Sequence, residues 1–313
     1  MKAKLGFIIF PLMAFTAIAE EGGSGHYVPG AMSSFADSVP PREAFVARYN
    51  LLYYNGSVAA NQPLPIAGVQ TVGADATSWA HGLTLLWRPP IDLGDQWSYA
   101  FSATVPFMWL DVTANVSAGT NTVKRTSSIN GLGDIVLMPL MLNYNINSNL
   151  NVNFRLGVYA PTGDYEVGRL ANTSKNFWTS EPTLALMYFG VNNGIEASVF
   201  MGADFNTENQ DTSYQSGTQL HVDGTLAQHF PLFGGLAGVG VNGFWYEQVT
   251  GDSGSGANFG DFEARDAGLG PVLSYVFKIG DVDMIAEAKW LHEFETKNRL
   301  EGDTVWFKFL AKF

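Results

Sequence analysis

The stretch Asp303-Thr-Val-Trp-Phe-Lys-Phe-Leu-Ala-Lys-Phe313 puts Val305, Phe307, Phe309, Ala311 and Phe313 on one face of an extended segment. Trp306, Lys308, Leu310 and Lys312 fall on the other. Side chains of a strand alternate with period two, so one long face is apolar. In a soluble sheet such a flat apolar face beside an open edge recruits other chains. A closed barrel in a membrane removes both problems, because every backbone group pairs within the ring and the apolar face meets lipid. The stretch therefore predicts an all-β protein, a transmembrane up-and-down antiparallel β-barrel.

The same alternation recurs along the chain. Leu150, Val152, Phe154, Leu156 and Val158 alternate with Asn151, Asn153, Arg155, Gly157 and Tyr159; Ile195 to Phe205, Trp97 to Phe107 and Met284 to Leu291 repeat the pattern. These segments predict about twelve strands, near 42–54, 78–88, 96–112, 132–144, 149–160, 178–189, 194–206, 217–230, 236–248, 264–278, 282–295 and 303–313. Odd-numbered connections (55–77, 113–131, 161–177, 207–216, 249–263) are long and polar. Even-numbered ones such as Asn145 to Ser148, Gly190 to Asn193, Pro231 to Gly235 and Ile279 to Asp281 are tight turns. Outer-membrane barrels have this asymmetry and an even strand number. Ten or fourteen strands also fit if a weak hairpin such as 42–88 is misread.

Composition agrees. Charged residues are 15% of the chain, against roughly 25% in globular domains. Beyond the first 19 residues no apolar run reaches the about 18 residues of a helical span. At the N-terminus Lys2 and Lys4 precede the apolar run Leu5 to Ile18, and Ala17-Ile-Ala19 offers small residues for a peptidase. Residues 1–19 thus read as a signal peptide, 20–41 as a periplasmic tail or a plug folded into the lumen, and 42–313 as the barrel. Loss of the two lysines takes the formal charge from −12 to about −14, a poor partner for nucleic acid. With no Cys there is no disulfide framework, thiolate metal site or Cys nucleophile.

Aromatic residues gather near strand ends: Tyr53, Tyr54, Trp87, Trp97, Tyr99, Trp109, Trp178, Tyr188, Trp245, Tyr275 and Trp290. They read as headgroup-level girdles. Pro106, Pro139, Pro182 and Pro271 interrupt strands and are expected at bulges. Alternation assigns Arg48, Asn50, Asn151, Asn153, Arg155, Glu196, Asp204, His221, Asp223, Glu287, Lys289, Glu293 and Lys308 to the lumen. They are transport candidates, or equally members of a salt-bridged interior, since unpaired charge between low-dielectric walls is costly. A twelve-strand wall leaves room for a small-molecule passage rather than a large pore.

His221 and Asp223, two apart on one face, admit an enzyme reading, a barrel hydrolase, but no Ser is placed as its nucleophile. His26, His81, His229 and His292 lack metal-ligand spacing, and the acidic loop Thr250 to Gly256 with Asp261 and Glu263 lacks calcium-loop spacing. No metal and no cofactor is expected. The loop's acids are available to divalent ions shared with lipopolysaccharide. A structural barrel without transport is the remaining alternative.

Val39-Pro-Pro41, Gly131-Leu-Gly-Asp134, Ala160-Pro-Thr-Gly-Asp-Tyr165, Phe244-Trp-Tyr-Glu-Gln248 with Thr250-Gly-Asp252, and Trp290-Leu-His-Glu-Phe294 with Asn298-Arg299 and Gly302-Asp303 resemble the MetA-pathway of phenol degradation family in order and spacing. The resemblance implies an outer-membrane barrel, surrounded by lipid and lipopolysaccharide, that takes up aromatic or other hydrophobic small molecules. Phe313, with Phe309 and the apolar residues alternating before it, likewise resembles the C-terminal signal read by the barrel assembly machinery.

Overall fold

The computed structural model describes residues 24–118, 121–257 and 263–313. The leader 1–19 with Lys2, Lys4 and Ala17-Ile-Ala19, the start of the following segment from Glu20, and Asp261 lie outside the described residues. Among the described residues, thirteen strands follow one 3-10 turn, Phe35–Asp37: β1 Ala44–Ile66, β2 Val69–Arg88, β3 Trp97–Ala118, β4 Asn121–Leu132, β5 Ile135–Asn145, β6 Leu150–Ala160 and β7 Thr179–Phe189. The others are β8 Ile195–Asn206, β9 Gln219–Leu232, β10 Gly235–Gln248, β11 Arg265–Ile279, β12 Val282–Glu293 and β13 Glu301–Lys312. All pairings are antiparallel, and each wall strand bonds to its sequence neighbour except that β5 returns to β3. β13 closes on β1, from Val46↔Lys312 to Ser57↔Glu301, and the ring has twelve strands. β4 stands outside it, bonded to the far half of β3.

Closure has the stated cause. On β13, Phe307 and Phe309 are exposed on the outside, as is Phe313 just beyond its end, while Trp306, Lys308 and Leu310 are buried inside. The wall's wide exterior of Phe, Leu, Val and Trp is exposed in the same alternation. Inside, polar and charged side chains are buried because they find one another across the lumen.

Three readings change. The expected loops 55–77 and 113–131 are strand extensions: β1 and β2 pair as far as Ile66↔Val69, and β3 and β4 as far as Ala118↔Asn121. Their inward side chains Val58, Leu64, Ile66, Ala74, Ala76, Val112, Ala114 and Val116 form one apolar cluster with Leu170 and Ala171 of the β6–β7 loop. That buried contact, roofing the loop end of the barrel, keeps these polar-looking segments extended. Second, of the four prolines only Pro139 lies at a register shift, visible against both β3 and β5's other neighbour β6. Pro106, Pro182 and Pro271 stay in register with Gly82, Leu156 and Val241, because a strand residue donates to one neighbour only and Pro forfeits that single bond. Pro106 sits where β3 changes partner from β5 to β4, and its carbonyl accepts from Gly133 N. Third, Tyr54 is not a girdle residue. It faces inward and its hydroxyl donates to Glu293.

Candidate functional site

Residues 24–41 lie in the lumen and are bonded to the wall along their whole length. Lys175 of the β6–β7 loop donates to the Ser24 carbonyl at 2.5 Å. His26 stacks on Tyr159 and bonds Thr179 and Asp134. Tyr27 donates to Asp223, as does the backbone N–H of Gly30 at the same carboxylate's second oxygen. Trp306 and Lys308 donate to the carbonyls of Pro29 and Ala31. At the turn end Arg88 holds the Pro40 carbonyl. Gly30 has φ +78°, and a Cβ there would come within 2.9 Å of Leu291 and 3.2 Å of the Trp306 indole, so glycine lets the segment press against the wall.

The middle of this segment carries the densest charge pairing. Asp37 is buried with Lys308 Nζ at 3.0 Å and Arg48 at 2.6 Å, and it accepts the backbone N–H of Ser33 and Ser34. Burial raises its carboxyl, but Lys308, Arg48 and Lys289 together outweigh that and hold it far below the usual carboxylate range. Lys289 pairs with Glu287 at 3.1 Å and donates to Gly30 O and Ser33 Oγ. Ser34 donates to Glu287 at 2.5 Å, Phe35 N to Glu196 at 2.7 Å, and Arg155 to the Asp37 carbonyl. At the loop end Asp134 accepts from Thr162, Gly163 and Lys175 backbone N–H groups. Burial opposes its ionisation, yet the His26 contact and these bonds keep its pKa lowered.

Arg155, Glu196, Asp204, His221, Asp223, Glu287, Lys289 and Glu293 are all buried inside, and Arg48 is half-buried there. Arg48, Glu287, Lys289 and Lys308 meet around Asp37. Asp204, His221 and Asp223 form a second group with Glu181. Glu196 pairs with His229 at 2.9 Å. Glu293 stands apart, accepting from Tyr54 and Gly302 N. His221 faces carboxylates and stacks on Tyr27 at 4.1 Å, so its surroundings are acids and a phenol ring. Sequence reasoning missed Asp37 and Glu181, whereas Tyr27, with Val28, Met32 and Phe35, is an apolar residue that favours a plug in the lumen. Asp37 belongs to a segment without periodicity, and Glu181 is legible as inward from its place two residues from Thr179 and Thr183.

Among the described residues, a cavity lies on either side of the segment. The one at the loop end, about 240 Å³, is lined chiefly by Leu52, Leu64, Ile66, Leu110, Val112 and Leu170, with Tyr27, Tyr54, Glu293 and Arg299 on its wall. The other, about 290 Å³, lies at the turn end between Asp37, Arg48, Arg155, Met141 and Leu310.

The lumen of this barrel can be set beside known proteins. A family model described as "Putative MetA-pathway of phenol degradation" matches residues 60–309. The chain belongs to this family. A search among curated proteins returns no match. Among solved structures, the COG4313 outer membrane channel from Pseudomonas putida F1 has a TM-score of 0.64 at 16% identity, covering 92% of this chain and 100% of that one. It shares the fold of the phenol-degradation family member described above. The beta domain of the Bordetella autotransporter BrkA (TM-score 0.47, 11% identity, 87% of this chain and 99% of that one) is more distant in shape. So is a FadL homologue from Pseudomonas aeruginosa (0.37, 10%, 87% and 89%).

Proposed function

We propose that this protein is an outer-membrane channel for small hydrophobic or aromatic molecules, with the N-terminal segment as an internal gate. The loop-end cavity carries the reading. Its lining is mostly aliphatic, with a few polar groups at one side, which is the composition of a small-molecule site. A volume of about 240 Å³ suits a ring-sized solute and excludes an extended hydrated one. That the similar solved structure is an outer membrane channel, and that the family is described by a putative pathway of phenol degradation, supports this reading. A solute in this cavity has the N-terminal segment beneath it, so passage to the periplasm requires that segment to yield. Many of its contacts with the wall are hydrogen bonds and ion pairs, for which water can substitute if the segment leaves the lumen.

The test is uptake by cells lacking or overproducing the protein, across a panel of phenolics, alkanes and fatty acids. Faster uptake of a small aromatic on overproduction, and slower uptake on deletion, is expected. Equal uptake of every solute in both strains would refute the channel and favour a structural barrel.

A further inference from the structure

We propose that Glu181, Asp204 and His221 form a binding site for one first-row divalent transition ion, beneath Tyr27 of the N-terminal segment. The ligand atoms come from three consecutive strands, β7, β8 and β9, and all lie within 4.8 Å of one another. His221 Nε2 is 3.7 Å from both Glu181 Oε1 and Asp204 Oδ1. That is too long for hydrogen bonds. It is close to the spacing of neighbouring ligands around one ion, whose Zn–N and Zn–O bonds are roughly 2.0–2.2 Å.

Three independent observations point to a cation. First, the register on either side, Ser180↔Phe205 and Thr183↔Gly202, sets Glu181 directly opposite Asp204. Two like charges facing each other across strands are destabilising, and burial of both multiplies the cost. Second, neither oxygen of Asp204 and neither ring nitrogen of His221 has a hydrogen-bond partner, although both residues are at least nine-tenths buried. Gln219, opposite Asp204 on β9, is buried and unsatisfied at both polar atoms as well. The guanidinium of Arg155 does not serve them: it bonds the Asn153 side chain and the Asp37 carbonyl. Third, the site is shaped around the imidazole. Gly202 pairs with His221, and a Cβ there would lie 2.3 Å from both Cε1 and Nε2 of that ring. Glycine is what lets the ring turn toward the two carboxylates.

Outer hydrogen bonds hold Glu181 as metal sites require: Tyr159 donates to Glu181 Oε2 and Thr183 to Glu181 Oε1. Asp223 faces His221 Nδ1 at 3.7 Å without bonding it. An imidazole among the donors disfavours Ca²⁺ and Mg²⁺, which take oxygen ligands, and the lack of thiolate leaves a Zn²⁺-type ion. Asp223 also holds Tyr27 and Gly30 N, and the His221 ring carries Tyr27 on its face. An ion here would staple three wall strands and fix the seat of the N-terminal segment.

The full-length mature barrel, stripped with chelator and refilled with Zn²⁺ or Co²⁺, provides the test. One ion per chain is expected, with a rise in thermal stability on Zn²⁺ addition. Asp204→Asn and His221→Gln should weaken binding by more than about 100-fold, beyond the roughly 10–100-fold expected for Tyr159→Phe, which removes an outer hydrogen bond to Glu181. If the ligand variants fail to fold, X-ray absorption of the wild-type zinc form decides, with one nitrogen and at least two oxygens as neighbours. Absence of stoichiometric binding, or equal binding by the folded variants, overturns the site and leaves protons or water to satisfy the cluster. Neither readout depends on transport.

Discussion

Replacing Asp37 by Ala should undock the N-terminal segment without unfolding the wall. The carboxylate is the shared partner of Lys308 at 3.0 Å and Arg48 at 2.6 Å, and both Ser33 N and Ser34 N donate to it. Removing one member of a buried ion pair costs about 3–5 kcal/mol, because the remaining charge is orphaned. Here the lower end applies, since Lys308 keeps the Ala31 carbonyl at 2.9 Å and Glu287 at 3.5 Å. The wall retains its complete backbone ladder, so the loss of about 3 kcal/mol falls on docking and lowers that equilibrium by roughly 100-fold. Hydrogen exchange of residues 24–41 and conductance in planar bilayers both read it, with heat-modifiability as the control for the wall. Asp37→Asn should lose less, because its carbonyl still accepts from the serines. Asp37→Leu with Lys308→Met should recover much of the loss. The carboxyl is held below its ordinary value, so its contribution is complete above about pH 4 and is lost only as pH falls further. Loss of this carboxyl's charge should therefore not raise exchange in residues 24–41 of the wild type until pH falls below about 4. Unchanged exchange and conductance in Asp37→Ala would refute this account of what holds the segment.

Gly30→Val should likewise raise exchange in residues 24–41, because its φ of +78° and the Leu291 and Trp306 contacts leave no room for a branched side chain; protection equal to wild type would contradict the close approach. Phe154→Arg and Val199→Arg, on the exposed outer face, should each cost about 2–4 kcal/mol of barrel stability in bilayers. A loss below about 1 kcal/mol would place them away from mid-membrane. Phe313→Asp should reduce the folded, heat-modifiable fraction while export to the periplasm continues, and normal folded yield would count against the C-terminal signal.

Most of the wall was legible because each strand spends half its residues on lipid and half on the lumen. That period survives in sequence at β6, β8 and β13, whose observed ranges differ from expectation by at most two residues. Legibility failed where burial came from elsewhere. The ends of β1 to β4 look like polar loops and are kept extended by packing over Leu170 and Ala171, a contact no local pattern announces. Alternation also gave the inward faces of Arg155, Glu287 and Lys289, yet it could not say which charge each would meet. Asp37, whose carboxylate pairs with Arg48 and Lys308 and whose carbonyl accepts from Arg155, lies in the segment before the first strand, 271 residues from Lys308. The Glu181, Asp204 and His221 group was hidden for a related reason. Its members come from three strands, so the short-range ligand spacing that betrays a helical metal site is absent.

The central claim is that an aromatic solute crosses this barrel through the apolar loop-end cavity. It is tested most directly by flux into proteoliposomes holding the purified protein, comparing a simple phenol with a sugar of similar size, corrected for leak through protein-free vesicles. The account predicts saturable phenol entry that greatly exceeds sugar entry and falls at least about tenfold in Leu64→Phe and Val112→Phe, which fill the cavity. Phenol entry no faster than sugar entry, or undiminished in the filled variants, would contradict it.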